Sequence, residues 1–168
     1  TYGIGRKELE IAVSGVEFDR CMTTVFGGPD DIRTIIFPKM VRTVRQGAFH
    51  GVKSLRIAIL NEGLEVLGTD EYKQDGERYS GAFEESGLER VKFPSTLKRI
   101  EYKTFMDCER LRVVHLPDKL EYIGGTSFSG TGLESVELPA SLKARYSEQA
   151  AKCSLAFLYE ALGITTGC

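Results

Sequence analysis

The sequence predicts a repeat solenoid, mainly β or mixed α/β. It is read as a stack of about six turns of 22–23 residues, with a parallel sheet and a closing C-terminal helix. Three observations predict this. First, Leu88–Gly132 carries one pattern twice, LERVKFPSTLKRIEYKTFMDCER and then LRVVHLPDKLEYIGGTSFSGTG. Both match L-x-x-V-x-[FL]-P-x-x-L-x-x-I-x-x-x-x-F, and a fixed period of this length is the signature of stacked units rather than a globule. Second, the leading aliphatic residue recurs at Leu9, Ile32, Leu55, Leu88, Leu111, Leu133 and Leu155, at spacings of 23, 23, 33, 23, 22 and 22. Third, the repeat gives way near the end to an apolar stripe of helical period.

The elements follow in order. Thr1–Glu8 reads as a lead-in and 9–31 as a degenerate N-terminal turn. That turn keeps Phe26 six residues before Ile32 but is interrupted by Gly27-Gly28-Pro29. Terminal repeats are atypical because one of their faces meets solvent. Regular repeats occupy 32–146. The one long spacing is accounted for by TDEYKQDGER at 69–78, a charged segment with no strand or helix period, which reads as a loop bulging from one turn. From Ser147 the chain reads SEQAAKCSLAFLYEALG, with Ala151, Leu155, Leu158 and Leu162 on one helical face. Ser147 suits the N-cap and Gly163 the stop, so 147–163 is expected to close the open end of the core.

Within each turn the residues after the leader alternate, as in Val91-Lys92-Phe93, Val114-His115-Leu116 and Val136-Glu137-Leu138. Alternation with β-branched residues on one face describes a half-buried strand. Pro38, Pro94, Pro117 and Pro139 end that strand, because proline cannot donate to a continuing ladder; Asn61 stands at this place in the turn with the insertion. A second apolar pair follows, such as Leu97 and Ile100, and Phe49, Phe83, Phe105 and Phe128 then form an aromatic column. No turn can bury its apolar face alone, but stacked neighbours can.

This pattern resembles the BspA-type leucine-rich repeat, L-x-x-[VI]-x-[IL]-P-x-x-[VL]-x-x-I-x-x-x-[AS]-F-x-x-[CG]. The matching segments are PSTLKRIEYKTFMDC, PDKLEYIGGTSFSG, PKMVRTVRQGAFHG and the shorter SGAFEES, together covering about Ile32 to Ala144. The commoner leucine-rich repeat carries an asparagine ladder, which a chain with Asn61 as its one asparagine does not build. The resemblance implies a right-handed solenoid that works in adhesion or protein recognition. It carries over no catalytic residue, since its motif positions are core positions.

Function is therefore sought in the residues that the motif leaves over. If Val114 and Leu116 point inward, Val113 and His115 point outward. The equivalent outward pairs are Ile11/Val13, Thr34/Ile36, Ile57/Ile59, Arg90/Lys92, Val113/His115 and Ser135/Glu137. Thr34, Ile36, Ile57, Ile59, Arg90, Lys92, Val113 and His115 are the candidate partner-binding face. Its first half is apolar and its middle basic, and contiguous apolar surface marks interaction sites. Two readings stand: a protein partner covers Ile36, Ile57 and Ile59, or the chain's own termini or insertion do. Charge is also uneven. The turn from Ile32 to Ser54 holds five basic residues and no acid, and Leu55–Gly87 holds three basic and eight acidic. These neighbouring turns either pair across the surface or leave a basic spot for an acidic partner.

Other function classes have less support. Net charge of −2 gives no general reason for nucleic acid, and the basic turn lacks the interleaved aromatics that stack bases. No apolar run approaches the roughly 20 residues of a membrane span. Phosphate-loop, dinucleotide, zinc-protease and serine-hydrolase motifs are absent, so no enzyme activity, cofactor or metal is expected. Cys21, Cys108, Cys153 and Cys168 lack zinc spacing. Cys108 and Cys153 fall near one repeat position two turns apart, about 10 Å at roughly 4.8 Å per strand, beyond disulfide reach. Buried free thiols are expected, with a bridge involving Cys21 or Cys168 left open. Tyr72 and Tyr79 beside the insertion are the one place where a sugar could stack. Because the chain starts at Thr1, it reads as processed or as a fragment. Two lives stay open for a non-catalytic binding or scaffold module: a cell-surface or secreted adhesin, or an accessory subunit of a larger, possibly organellar, assembly.

Overall fold

The computed structural model describes residues 8–10, 17–18, 32–37, 39, 41–45, 47–68 and 80–147. The insertion at 69–78, Tyr72, Tyr79, Cys21, Cys153, Cys168, Phe26, Ile11 and Val13 lie outside the described residues. So does the expected closing helix, except for Ser147.

The turns contribute strands to two parallel sheets, where the sequence predicts one. The first sheet contains β1 (Glu8–Glu10), β3 (Thr34–Ile36), β5 (Ile57–Ile59) and β7 (Arg90–Lys92), hydrogen-bonded in that order. The second contains β2 (Glu17–Phe18), β4 (Thr43–Val44), β6 (Val66–Leu67), β8 (Arg99–Ile100) and β9 (Tyr122–Ile123). The second apolar pair of the motif thus belongs to a short strand of its own. In it a β-branched, leucine or aromatic residue sits where the pleat needs bulk.

The core is the motif. Leaders Leu55, Leu88 and Leu111 are fully buried, as are Ile35 and Ala58 from the first sheet and Val44, Leu67, Ile100 and Ile123 from the second. Behind them the phenylalanines stack face to face. Phe49 and Phe83 lie 5.0 Å apart, Phe83 and Phe105 5.5 Å, and Phe105 and Phe128 5.1 Å, with interplanar angles of 10°, 4° and 22°. Phe37 and Phe93 meet Phe49 and Phe105 edge-on, at 5.8 Å each. The ring spacing is close to the roughly 4.8 Å between neighbouring strands. One column therefore fits the pitch of both sheets.

The loop around each ring is a double reversal. Two and two residues either side of the phenylalanine, the backbone enters the left-handed region at Gly47 and Gly51, Lys103 and Asp107, and Thr126 and Gly130. The insertion turn keeps the second of these at Glu85. The ring-bearing residues are tied turn to turn by their amides, Phe49 to the Ala82 carbonyl at 2.7 Å, Phe83 to Thr104 at 2.8 Å and Phe105 to Ser127 at 2.7 Å. Gly81 is required for another reason: a Cβ there would collide with the Lys103 carbonyl of the next turn.

Side chains staple successive turns from outside. The Arg56 guanidinium donates to the Gly87 carbonyl at 3.1 Å and pairs with Glu89 at 3.2 Å. Glu62 accepts from the Ser95 amide at 3.0 Å and hydroxyl at 2.8 Å, bonds that hold its carboxyl below the usual range. At the proline-equivalent position, Asn61 Nδ2 donates to the Val41 carbonyl at 2.9 Å.

Two expectations are corrected. Leu9 pairs with Ile35 and Phe18 with Val44, a separation of 26 residues in both sheets (9 to 35, 18 to 44). Leu9 is therefore the equivalent of the inward Ile35, not of the leader Ile32. The register positions of Thr34 and Ile36 pass to Glu8 and Glu10 instead of Ile11 and Val13. The first turn is longer than the rule, so counting back by 23 misplaces it by three residues. The second concerns 140–146, expected to be regular repeat: α1 spans Ala140–Ser147, where other turns carry a second-sheet strand. Its Leu142 is fully buried, as Leu97 and Leu120 are. Its sequence ASLKARYS offers alanine, leucine, lysine and arginine where other turns offer isoleucine or valine, so propensity favours a helix. The Ser141 hydroxyl ties it to the Leu120 carbonyl at 2.7 Å.

Two substitutions of opposite sign check this account by chemical denaturation. Phe105→Ala removes a ring that touches three others and is expected to cost about 3–5 kcal/mol. Thr126 holds φ at 55° and its buried hydroxyl has no partner. Thr126→Gly is expected to stabilise by about 1 kcal/mol, because glycine enters the left-handed region freely.

Candidate protein-binding face

The outward pairs fall where alternation places them. Thr34, Ile57 and Arg90 are register partners down the first sheet, and so are Ile36, Ile59 and Lys92. Thr34, Ile36, Ile57 and Ile59 are half-buried; Arg90, Lys92, Val113 and His115 are exposed. Val113, at 62%, is the large hydrophobic side chain most open to solvent among the described residues.

A groove of about 900 Å3 runs across this face. Six of the eight predicted residues line it: Ile57, Ile59, Arg90, Lys92, Val113 and His115. Thr34 and Ile36 share the face but not the groove. The groove also takes in Glu89, Arg110 and Arg112, which the outward-pair rule leaves out. The signal for Glu89 and Arg112 lies one residue after each leader, where Arg33, Arg56, Glu89, Arg112 and Glu134 form a charged column of mixed sign; Arg110 precedes its leader and has no such signal.

The first sheet stops within the span of this groove. From turn to turn, Arg56 and Ile57 donate to the Arg33 carbonyl, and Glu89 and Arg90 donate to the Arg56 carbonyl. The next step would be Arg112 and Val113 donating to Glu89. No such hydrogen bond forms, and no strand pairs with β7 on that side. The second sheet continues without a break, with Glu121 and Tyr122 donating to Lys98 at 2.8 and 3.2 Å. The two turns therefore remain joined at the phenylalanine column and second sheet while parting along the first. The core loosens to match: Ile35 and Ala58 are fully buried, but Val91, Phe93 and Leu116 are only partly so.

Electrostatics divide the groove unevenly. Glu89 is occupied by Arg56 at 3.2 Å and Arg110 at 3.5 Å. Arg90 and Arg112 pair with no carboxylate among the described residues, and Lys92 acts on Glu62 only through its charge, helping to lower that carboxyl. Elsewhere the basic turn does pair with its neighbour, Lys53 and His50 each lying 4.0 Å from Glu85. Exposed pairs of this kind contribute about 0–1 kcal/mol.

Two chemically loaded positions lie apart from the groove. His50, Glu84 and Glu85 bring ligand atoms within 4.8 Å of one another. The buried Glu84 is already answered by the Gly81 amide at 2.6 Å and Lys103 at 3.6 Å. Lys53 further offsets the cluster, so its charges are met without an ion. Cys108 is a buried free thiol, as expected, donating to the Phe83 carbonyl at 3.0 Å and lying 3.3 Å from the Ser86 hydroxyl. Burial pushes its pKa up to about 11. That is the reverse of an activated nucleophile.

The model of the BspA type leucine rich repeat region matches this chain in six copies, over 19–75 and 77–157. The chain belongs to the BspA-type leucine-rich repeat family. The match reaches beyond the segment from Ile32 to Ala144 at both ends. Among solved structures, the pneumococcal vaccine antigen PcpA is similar at 24% identity and a TM-score of 0.54, over 66% of this chain and 25% of that one. The leucine-rich repeat protein of T. pallidum is 22% identical over 67% of this chain and 60% of its own, with a TM-score of 0.47. The BspA-type chain thus spans about a quarter of the first and three-fifths of the second. No curated protein matches it.

The Cys108 thiol gives a pH test. Between the ordinary value of 9.0 and about 11, the unfolded chain loses this proton and the folded chain keeps it. Stability from this group is intact below pH 9 and falls as pH rises through that window. The unfolding free energy of the native chain is expected to drop more steeply from pH 9 to 11 than that of Cys108→Ala.

Proposed function

We propose that this BspA-type repeat domain is a non-catalytic protein-binding module that uses the outward face of its first sheet. The observation that carries this reading is the groove across that face, from Ile57 and Ile59 past β7 to Val113 and His115. The repeat spends its conserved-pattern positions on the core, while the outward residues supply an apolar wall at Ile57 and Ile59, a basic stretch at Arg90 and Lys92, and the exposed Val113. Apolar area beside unspent charge is what a protein interface needs, since one contributes affinity and the other orientation. A cleft of this volume lies in the range of binding sites. The buried Cys108 and the ion-paired His50 cluster support the non-catalytic part of the reading.

The module serves either as an adhesin-like surface protein or as an accessory subunit of an assembly. Native size separates these settings, because migration as a free monomer counts against the subunit.

Lysine at both Ile57 and Ile59 tests the face. Both side chains are half-buried and their lysine replacements can extend to solvent, so the fold is expected to survive, as thermal unfolding would show. Capture of the native partner, identified by mass spectrometry, is expected to fall about tenfold or more. Undiminished capture by the folded variant would rule out this surface.

A further inference from the structure

We propose that the outward face of the first sheet receives an acidic amphipathic helix of the protein partner, a reading that rests on the binding face described above. The helix lies along the stack, across the strands. Three observations point to it.

The first is charge. Four basic residues line the groove, Arg90, Lys92, Arg110 and Arg112, against Glu89 and Glu109. Glu89 is already held by Arg56 and Arg110. Arg90 and Arg112 have no carboxylate partner among the described residues, and Lys92 reaches Glu62 only through its charge. This positive excess sits in a chain whose net charge is −2. Carboxylates on the partner complement it, and a guanidinium such as that of Arg90 can hold one by both oxygens.

The second is order. Down the face, Ile57 and Ile59 are followed by their register partners Arg90 and Lys92. Val113 stands 23 residues after Arg90, the interval that also separates the stacked Phe105 and Phe128 (90 to 113, 105 to 128). The rungs therefore run apolar, basic, and apolar again at the exposed Val113. Val91 and Phe93, partly buried, reach the groove from the core side.

The third is spacing. Stacked rungs lie about 4.8 Å apart, so the two apolar rungs are separated by about 10 Å. A helix climbs roughly 10.5 Å in seven residues and returns nearly to the same side. Its residues three and four along climb about 4.5–6 Å and diverge to either side of that line. They come level with Arg90 and Lys92, which stand two residues apart on β7 and so flank the line as well. The expected pattern is an apolar residue, two spacers, two acids, two spacers and an apolar residue, docked as a helix in a groove. An extended segment repeats each face about every 6.7 Å and matches neither step. A nucleic acid would answer the charge but not the apolar rungs.

The probe is a fluorescein-labelled peptide built on Leu-Ala-Ala-Glu-Glu-Ala-Ala-Leu. It is held helical by a hydrocarbon staple in place of its third and seventh residues, on the far face. Fluorescence anisotropy with the whole chain is expected to show saturable binding. Binding should weaken about tenfold or more for Arg90→Glu with Lys92→Glu, a variant of exposed side chains whose folding is checked by thermal unfolding. The Lys-Lys counterpart of the peptide should ignore the native chain and bind that variant. A stapled peptide with its glutamates moved to the second and sixth positions should bind the native chain about tenfold more weakly. Equal or tighter binding of the rearranged peptide, poly-glutamate or an oligonucleotide would reduce the site to an anion patch and overturn the helix. Absence of binding at millimolar peptide would overturn it too. The binding face is judged separately, by partner capture with the Ile57→Lys and Ile59→Lys variant. Loss of capture there, alongside a silent peptide, leaves the face standing and removes the helix.

Discussion

Stacked phenylalanine rings set the pitch on which everything else in this domain depends. With centroids 5.0–5.5 Å apart, Phe49, Phe83, Phe105 and Phe128 repeat at nearly the spacing of hydrogen-bonded strands. Ring contact and backbone pairing can therefore be satisfied together. The reversals that present each ring put residues such as Lys103, Asp107 and Thr126 in a conformation that glycine prefers. That strain is outweighed by burial of a full aromatic side chain, roughly 1.5–3 kcal/mol per ring. Because the column holds the turns from behind, the first sheet in front can end at β7 without the stack coming apart.

The core was legible in the sequence because period and burial coincide. Leu97, Ile100 and Phe105 each occupy a position that is fully buried in the neighbouring turns too, so one good copy predicts the rest. The outward register was legible for the same reason: alternation fixes Ile57 opposite Arg90 once Ala58 is known to be inside. Where the period fails, so does counting. Leu9 was misplaced by three because the first turn is longer, and a pattern of apolar residues alone does not distinguish a leader from an inward strand residue. Helix α1 forms because its residues have helical propensity at a place where the pattern expects a strand.

The groove was only half legible. Alternation identified six of its residues, but the break in the first sheet is a matter of backbone geometry and has no residue type of its own. A sequence reading weights the apolar Ile36, Ile57 and Ile59 most heavily, yet the opening lies farther along, between Arg90–Lys92 and Val113–His115. Arg112 and Glu89 belong to the site because they sit one residue after the leader, on the rim that the opening exposes. The first sheet ends at β7, and that end coincides with basic side chains on the outward face.

Amide hydrogen exchange along β7 tests this account most directly. Arg90 and Lys92 bond to β5 and should be protected. Val91 and Phe93 face the break and should exchange about tenfold or more faster, though all four lie in one short segment. Protection that alternates in this way would establish the open edge. Uniform protection from Arg90 to Phe93, matching that of β5, would show that the ladder continues into the next turn and would contradict it.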